Sequence, residues 1–130
     1  MIHKLILPTP FAVGDVNAYL LKGDALSLID AGPKTPEAYE ALERGIKEAG
    51  YSFNDVEQVF LTHHHPDHAG WIDAFPQAKV FGHVYNDLWL TRDPAFFAYH
   101  DEFYLERLIE EGVPEKYHSW VEKMKRPVSF

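Results

Sequence analysis

Residues 61–70 read Leu-Thr-His-His-His-Pro-Asp-His-Ala-Gly, and no other stretch restricts what this 130-residue chain can become so tightly. The apolar run Val59, Phe60 and Leu61 leads directly into four histidines and an aspartate within six positions. Core packing does not call for so much imidazole and carboxylate in one turn, because unpartnered polar groups are costly to bury. The chain has no cysteine, which excludes thiolate ligation and a disulfide framework. A metal ion bound here is held by imidazole, carboxylate and water. The competing reading is a surface loop that is merely rich in histidine. The position of the cluster, after an apolar strand and before a helix, argues for ligands.

Spacing divides those ligands between two places. His63 and His65 are two apart, and in extended backbone such residues point to the same side. Both can reach one ion. Asp67 and His68 are adjacent at the start of a helix for which Pro66 suits the first turn. Neighbours on a helix diverge by about a third of a turn. They suit a second ion beside the first better than they suit completing its shell. The pattern His-x-His-x-Asp-His thus describes two neighbouring sites, as in two-metal hydrolases whose ions lie roughly 3.5–4 Å apart. His64 is expected to point away from both.

The rest of the chain reads as the scaffold that aims this cluster. Residues 2–7 suit a strand ended by Pro8-Thr9-Pro10, and residues 16–22 alternate as a second strand. Gly23-Asp24 is a hairpin-type turn, returning as a strand over 25–30. A helix follows, with Thr35 as N-cap, Pro36 at its first position and Glu37 at the positive end of the dipole. Ala38, Leu42, Ile46 and Ala49 recur at helical spacing, and Gly50 stops it. Residues 55–62 are mostly apolar, as in a strand covered on both faces. In open α/β sheets ligands collect at the carboxyl ends of strands, and the cluster sits at such an end. Beyond it, 67–75 suits a short helix and 79–82 a short strand. From residue 84 the pattern is helical: Asp93-Pro94 caps a helix to Glu111 that Gly112 ends, and Pro114 opens another to about residue 125.

Charge and hydropathy narrow the function classes. The 12 basic and 20 acidic residues are interspersed and sum to −8. Without a basic patch, nucleic acid is disfavoured as a partner. No apolar run reaches the roughly eighteen residues of a membrane span, and the apolar stretch within the first eight residues is shorter than a signal peptide is expected to need. A cytoplasmic protein is expected.

The stretch Thr62-His63-His64-His65-Pro66-Asp67-His68-Ala69-Gly70 resembles the metal motif of the metallo-β-lactamase-fold superfamily. Asn17-Ala18-Tyr19-Leu20-Leu21 resembles that family's early strand. Leu28-Ile29-Asp30-Ala31-Gly32-Pro33 resembles its Leu-Ile-Asp-Thr-Gly turn, with Ala31 where threonine is usual. The resemblance implies an α/β fold, one half of an αββα sandwich built from two related halves. It implies that His63 and His65 bind one metal ion, and Asp67 and His68 a second. It places Asp30 beneath the site, against the plainer reading of a turn carboxylate. The family completes its sites with a third histidine, a bridging aspartate and a last histidine from the second half. No such motif follows Gly70. Residues 1–83 are therefore expected to be the N-terminal half of a metallohydrolase, and the helical, aromatic-rich residues 84–130 resemble an insertion between halves.

The activity so implied is hydrolysis of a small ester, thioester or lactone through a metal-bound hydroxide, as in hydroxyacylglutathione-hydrolase-like relatives. A β-lactam is one substrate among many. Zinc, as one or two ions, is the expected metal, and iron or manganese suits the same ligands. Asp67 is also placed to accept or steer a proton. A non-catalytic reading stays open, in which the chain holds one loose ion or none and self-associates to cover the absent half. The family's nuclease branch shares the motif, but the acidic charge disfavours it. His83 is a residue lining or supporting the site, or an ordinary polar one; His100 and His118 are solvated or packed histidines of the helical region. Phe96, Phe97, Tyr99, Phe103 and Tyr104 occupy more than one helix face. Core packing is expected for most of them, with a lid or a subunit interface as the alternative use.

Overall fold

The computed structural model describes residues 1–119. Of these, residues 1–83 form one compact unit and residues 84–119 belong to another. In the first, β1 (Ile2–Leu7), β2 (Val16–Lys22) and β3 (Leu26–Ile29) make an antiparallel meander, to which β4 (Gln58–Phe60) and β5 (Lys79–Phe81) add in parallel. The strand order is β1-β2-β3-β4-β5. Register sets the two faces. Leu5 pairs with Ala18, Leu20 with Leu28, and Leu28 with Val59, so the buried residues of four strands line up on one side.

Helix α1 (Pro36–Glu48) crosses from β3 to β4 and covers that side. Its cap is local chemistry: the Thr35 side chain accepts from Ala38 N at 3.2 Å, with proline in the first turn. Ala38, Ala41, Leu42 and Ile46 form its buried stripe. The last three join Leu5, Leu20, Leu28 and Val59 in the core cluster. Each large aliphatic side chain buried this way contributes about 1.5–3 kcal/mol.

The other face of the sheet is open. Ile2 is 69% exposed and Phe60 39%, with Ile6 and Phe81 also exposed. Phe60 and Phe81 stack at 5.2 Å between centroids. The expectation that β4 is covered on both faces is not met among the described residues, where Phe60 stays 39% exposed. β4 is also shorter than the expected 55–62. Ser52 N donates to Asp55 Oδ2 at 2.8 Å in a capped 3₁₀ turn over Phe53–Asp55, which holds these residues out of the strand.

The expected helix over 67–75 is two pieces, α2 (Pro66–Ala69) and a 3₁₀ turn over Ile72–Ala74. Gly70 breaks it by lying against the backbone of residues 32–34, where a Cβ would overlap main-chain atoms. Its N–H donates to Gly32 O at 2.8 Å. This seam ties the end of the histidine segment to the loop after β3.

In the second unit, α3 (Val84–Leu90) precedes α4 (Pro94–Glu110), which Asp93 caps by accepting from Phe96 N at 2.8 Å. Gly112, at φ 75°, closes α4. The helix expected from Pro114 begins as one 3₁₀ turn, Glu115–Tyr117, and residues 120–125 of that expectation lie outside the described residues. Core packing does not account for most of the α4 aromatics: Tyr99 is 68% exposed, and Phe103 and Tyr104 are exposed as well. Apolar positions run around α4 instead of along one stripe, and one neighbouring helix covers only one side. Among the described residues no helix is long and apolar enough to cross a membrane.

Candidate metal centre

Two parallel strands deliver the site. Ile29 of β3 and Phe60 of β4 are register partners, so the residues after them emerge side by side at the same edge of the sheet. Asp30 N donates to Phe60 O at 2.9 Å, and Leu61 N donates to Phe81 O at 2.8 Å, carrying the pairing one residue past each strand. Asp30 then turns into left-handed backbone at φ 62°, uncommon outside glycine and best tolerated by Asn and Asp. That turn puts its carboxylate, 4% exposed, beneath the histidine segment.

The Asp30 carboxylate is fully engaged. Its Oδ1 accepts from Thr62 N at 2.8 Å, and its Oδ2 accepts from Thr62 Oγ1 at 2.7 Å. His68 Nδ1 lies 2.9 Å from the same Oδ2. Thr62 Oγ1 also lies 2.9 Å from His63 Nδ1. Helix α2 supplies the second anchor: Ala31 N donates to His68 O at 2.7 Å, which holds His68 over the β3 end.

Five donors cluster around this edge. Asp30, His63 and His68 form one group whose ligand atoms lie within 4.8 Å of one another, and His63, His65 and Asp67 form another. His63 belongs to both. The rings of His63 and His65 are 4.6 Å apart between centroids, and those of His63 and His68 4.3 Å. His68 Nε2 lies 3.6 Å from Asp67 Oδ2, which links the two groups. In the first group both Asp30 oxygens already accept hydrogen bonds, so that carboxylate serves to hold Thr62 and His68. The open donors are those of His63, His65, Asp67 and the Nε2 of His68.

The other described histidines enter neither group. His64 supplies no donor to either, although its ring meets that of His65 at 5.0 Å. His83, exposed and two residues past β5, enters neither group. In the second unit, the His100 ring packs on Trp89 and Tyr104, and His118 Nε2 lies 2.8 Å from Val113 O. Sequence reasoning passed over Thr62. Its signal was position: it is the first polar residue after the apolar run, one before the first candidate ligand histidine.

The electrostatics suit ligation. The His63 pKa lies below the ordinary 6.5, first because burial penalises the charged ring, and then because His68 and His65 repel a proton there. Asp30 and Asp67 oppose that shift. A ligand imidazole must be neutral, so the depression favours the binding form. The donor set, imidazole and carboxylate without sulfur, matches zinc, iron or manganese.

This fold and donor pattern define a candidate metal-binding site at the edge of a mixed sheet. The chain belongs to the metallo-beta-lactamase superfamily, whose family model matches residues 12–126. It is 50% identical over 109 residues to the probable metallo-hydrolase YqjP of Bacillus subtilis, covering 83% of this chain and 34% of that one. A crystal structure of a metallo-beta-lactamase family protein from Thermus thermophilus superposes with a TM-score of 0.71 at 33% identity, covering 99% of this chain and 45% of the other. A beta-lactamase domain protein from Burkholderia ambifaria shares the fold, with a TM-score of 0.54 at 22% identity over 71% of this chain and 33% of its own. The chain thus spans between a third and a half of the length of these relatives.

Proposed function

We propose that this chain carries the metal-binding half of a hydrolase acting on a small ester, thioester or lactone. The observation that carries the reading is the convergence of His63, His65, Asp67 and His68 at one sheet edge, with His68 held from beneath by Asp30. In this reading His63 and His65 hold one ion, and Asp67 and His68 a second. Zinc is the preferred ion, with iron or manganese as substitutes. When bound, such an ion supplies a nucleophilic water at neutral pH and positive charge for the developing oxyanion. The residues of the chain do the rest. The Asp30 carboxylate fixes His68, and Asp67 accepts or steers a proton. His83, past the end of β5, is assigned a supporting polar role at the rim. The break at 83/84 separates the metal-binding part from a helical insertion. The net charge of −8 and interspersed charges favour a small molecule over nucleic acid and, with no apolar membrane run, accord with a cytoplasmic setting.

The test is a panel of ester, thioester and lactone substrates, with and without a chelator, on the chain and on its His63→Ala/His65→Ala variant. Metal-dependent turnover that the double variant abolishes is expected. Turnover indifferent to both chelator and variant would refute the assignment.

A second reading rests on the open sheet face. Ile2, Ile6, Phe60 and Phe81 expose apolar surface, and half-buried Tyr19, Leu21 and Ile29 lie on the same face. A second copy that covers it would make the chain a self-associating, non-catalytic module. Light scattering decides this: a dimer that Phe60→Lys returns to monomer supports it, and a monomer at all concentrations refutes it.

A further inference from the structure

We propose that Thr62 is a positioning residue for the metal centre: its hydroxyl relays the Asp30 carboxylate to His63 and fixes the His63 tautomer. This rests on reading the cluster as a metal site. A threonine hydroxyl has one proton to donate and lone pairs that accept, whereas a carboxylate only accepts. Asp30 Oδ2 lies 2.7 Å from Thr62 Oγ1, so the hydroxyl proton is committed to that bond. Thr62 Oγ1 faces His63 Nδ1, 2.9 Å away, with only lone pairs left. The proton of that second bond must come from the ring. His63 is therefore the Nδ1–H tautomer, and its Nε2 lone pair stays bare.

The same logic orients His68 without an intermediary. Its Nδ1 lies 2.9 Å from Asp30 Oδ2, so it too carries the proton on Nδ1 and leaves Nε2 open. One carboxylate oxygen thus sets two imidazoles, one directly and one through Thr62. The backbone supports the relay independently of the hydroxyl, because Thr62 N donates to Asp30 Oδ1 at 2.8 Å. Removing the hydroxyl therefore spares the backbone bond that places the loop and deletes the two bonds of the relay, to Asp30 Oδ2 and to His63 Nδ1. Outer hydrogen bonds of this kind are worth about 10–100-fold in metal affinity.

Two readouts test this, and neither uses turnover. Isotope-edited NMR of the imidazole nitrogens, on the metal-free chain at about pH 8, above the ordinary histidine range, reads the tautomer directly. His63 is expected as Nδ1–H in the unsubstituted chain, as a mixture in Thr62→Val, and as Nδ1–H again in Thr62→Ser. Zinc affinity by chelator competition is expected to fall about 10–100-fold in Thr62→Val and to be retained in Thr62→Ser. An Nε2–H ring in the unsubstituted chain overturns the proposal, as does a Thr62→Val variant with unchanged tautomer and affinity. The tautomer reading on the unsubstituted chain stands even where a variant fails to fold. Should the chain show the Nδ1–H ring yet bind no zinc, the metal-site reading falls and the relay stands.

Discussion

Asp30 is where strand geometry, backbone strain and ligand orientation meet, so substituting it gives a magnitude that can be worked through. Its carboxylate is acceptor to three donors: Thr62 N, Thr62 Oγ1 and His68 Nδ1. Asp30→Ala strands all three. A donor left without a partner costs about 1–3 kcal/mol when buried. Thr62 is exposed and His68 half-buried, so water recovers part of the loss and the lower end applies. Three donors at about 1 kcal/mol each give about 3 kcal/mol. Alanine at the left-handed φ of 62° adds about 1 kcal/mol more. Asp30→Gly loses the same bonds without that strain, and Asp30→Asn tolerates the φ and keeps an acceptor. The expected order of stability is Asn, then Gly, then Ala, with Asp30→Ala about 4 kcal/mol below the unsubstituted chain. Urea unfolding followed by circular dichroism, read at unchanged m value, measures it. An Asp30→Ala variant within about 1 kcal/mol of the parent would refute the claim that this carboxylate holds the edge together.

The depressed His63 pKa fixes a pH dependence. A ring neutral in the fold but protonated in the unfolded chain contributes stability that is fully present above pH 6.5 and is lost as pH falls through its lower folded value. NMR titration of the metal-free chain should place the His63 midpoint below 6.5, and a midpoint at or above it contradicts the burial argument. Gly70→Ala drives a Cβ into the backbone of residues 32–34. It is expected to cost about 1–3 kcal/mol and to weaken the His68–Asp30 bond, seen as faster exchange of the Ala31 amide that His68 O accepts. Unchanged exchange at Ala31 would show that α2 is not seated by this seam.

Local chemistry made much of the frame readable from the sequence. The Thr35-Pro36-Glu37 start of α1 and its buried Leu42 and Ile46 need no tertiary knowledge, and neither does the Asp93 cap of α4. What escaped reading was tertiary. Asp30 beneath the site was legible only through the family resemblance, and its specific partners were not: His68 is 38 residues away, and the register of β3 with β4 brings the carboxylate under that ring. Gly70 looked like an ordinary helix residue, because its closeness to Pro33 and Lys34 comes from a distant turn. The apolar character of Phe60 was legible, but whether a second layer covers it is a property of the packing. Exposed Tyr99 and Phe103 teach the same lesson in the helical unit. How closely the two neighbouring ligand pairs interlock was not legible either: His63 belongs to both donor groups, and His68 Nε2 lies 3.6 Å from Asp67 Oδ2.

In the proposed reading, geometry, and not mere abundance of histidine, makes this edge a metal centre. His63, His64 and His65 form the natural control, because only the outer two enter the donor groups. Elemental analysis of the purified chain and of three single alanine variants tests it most directly. Bound metal is expected in the parent and in His64→Ala, and its loss in His63→Ala and His65→Ala. Equal loss in all three, or full retention in His63→Ala, would contradict it.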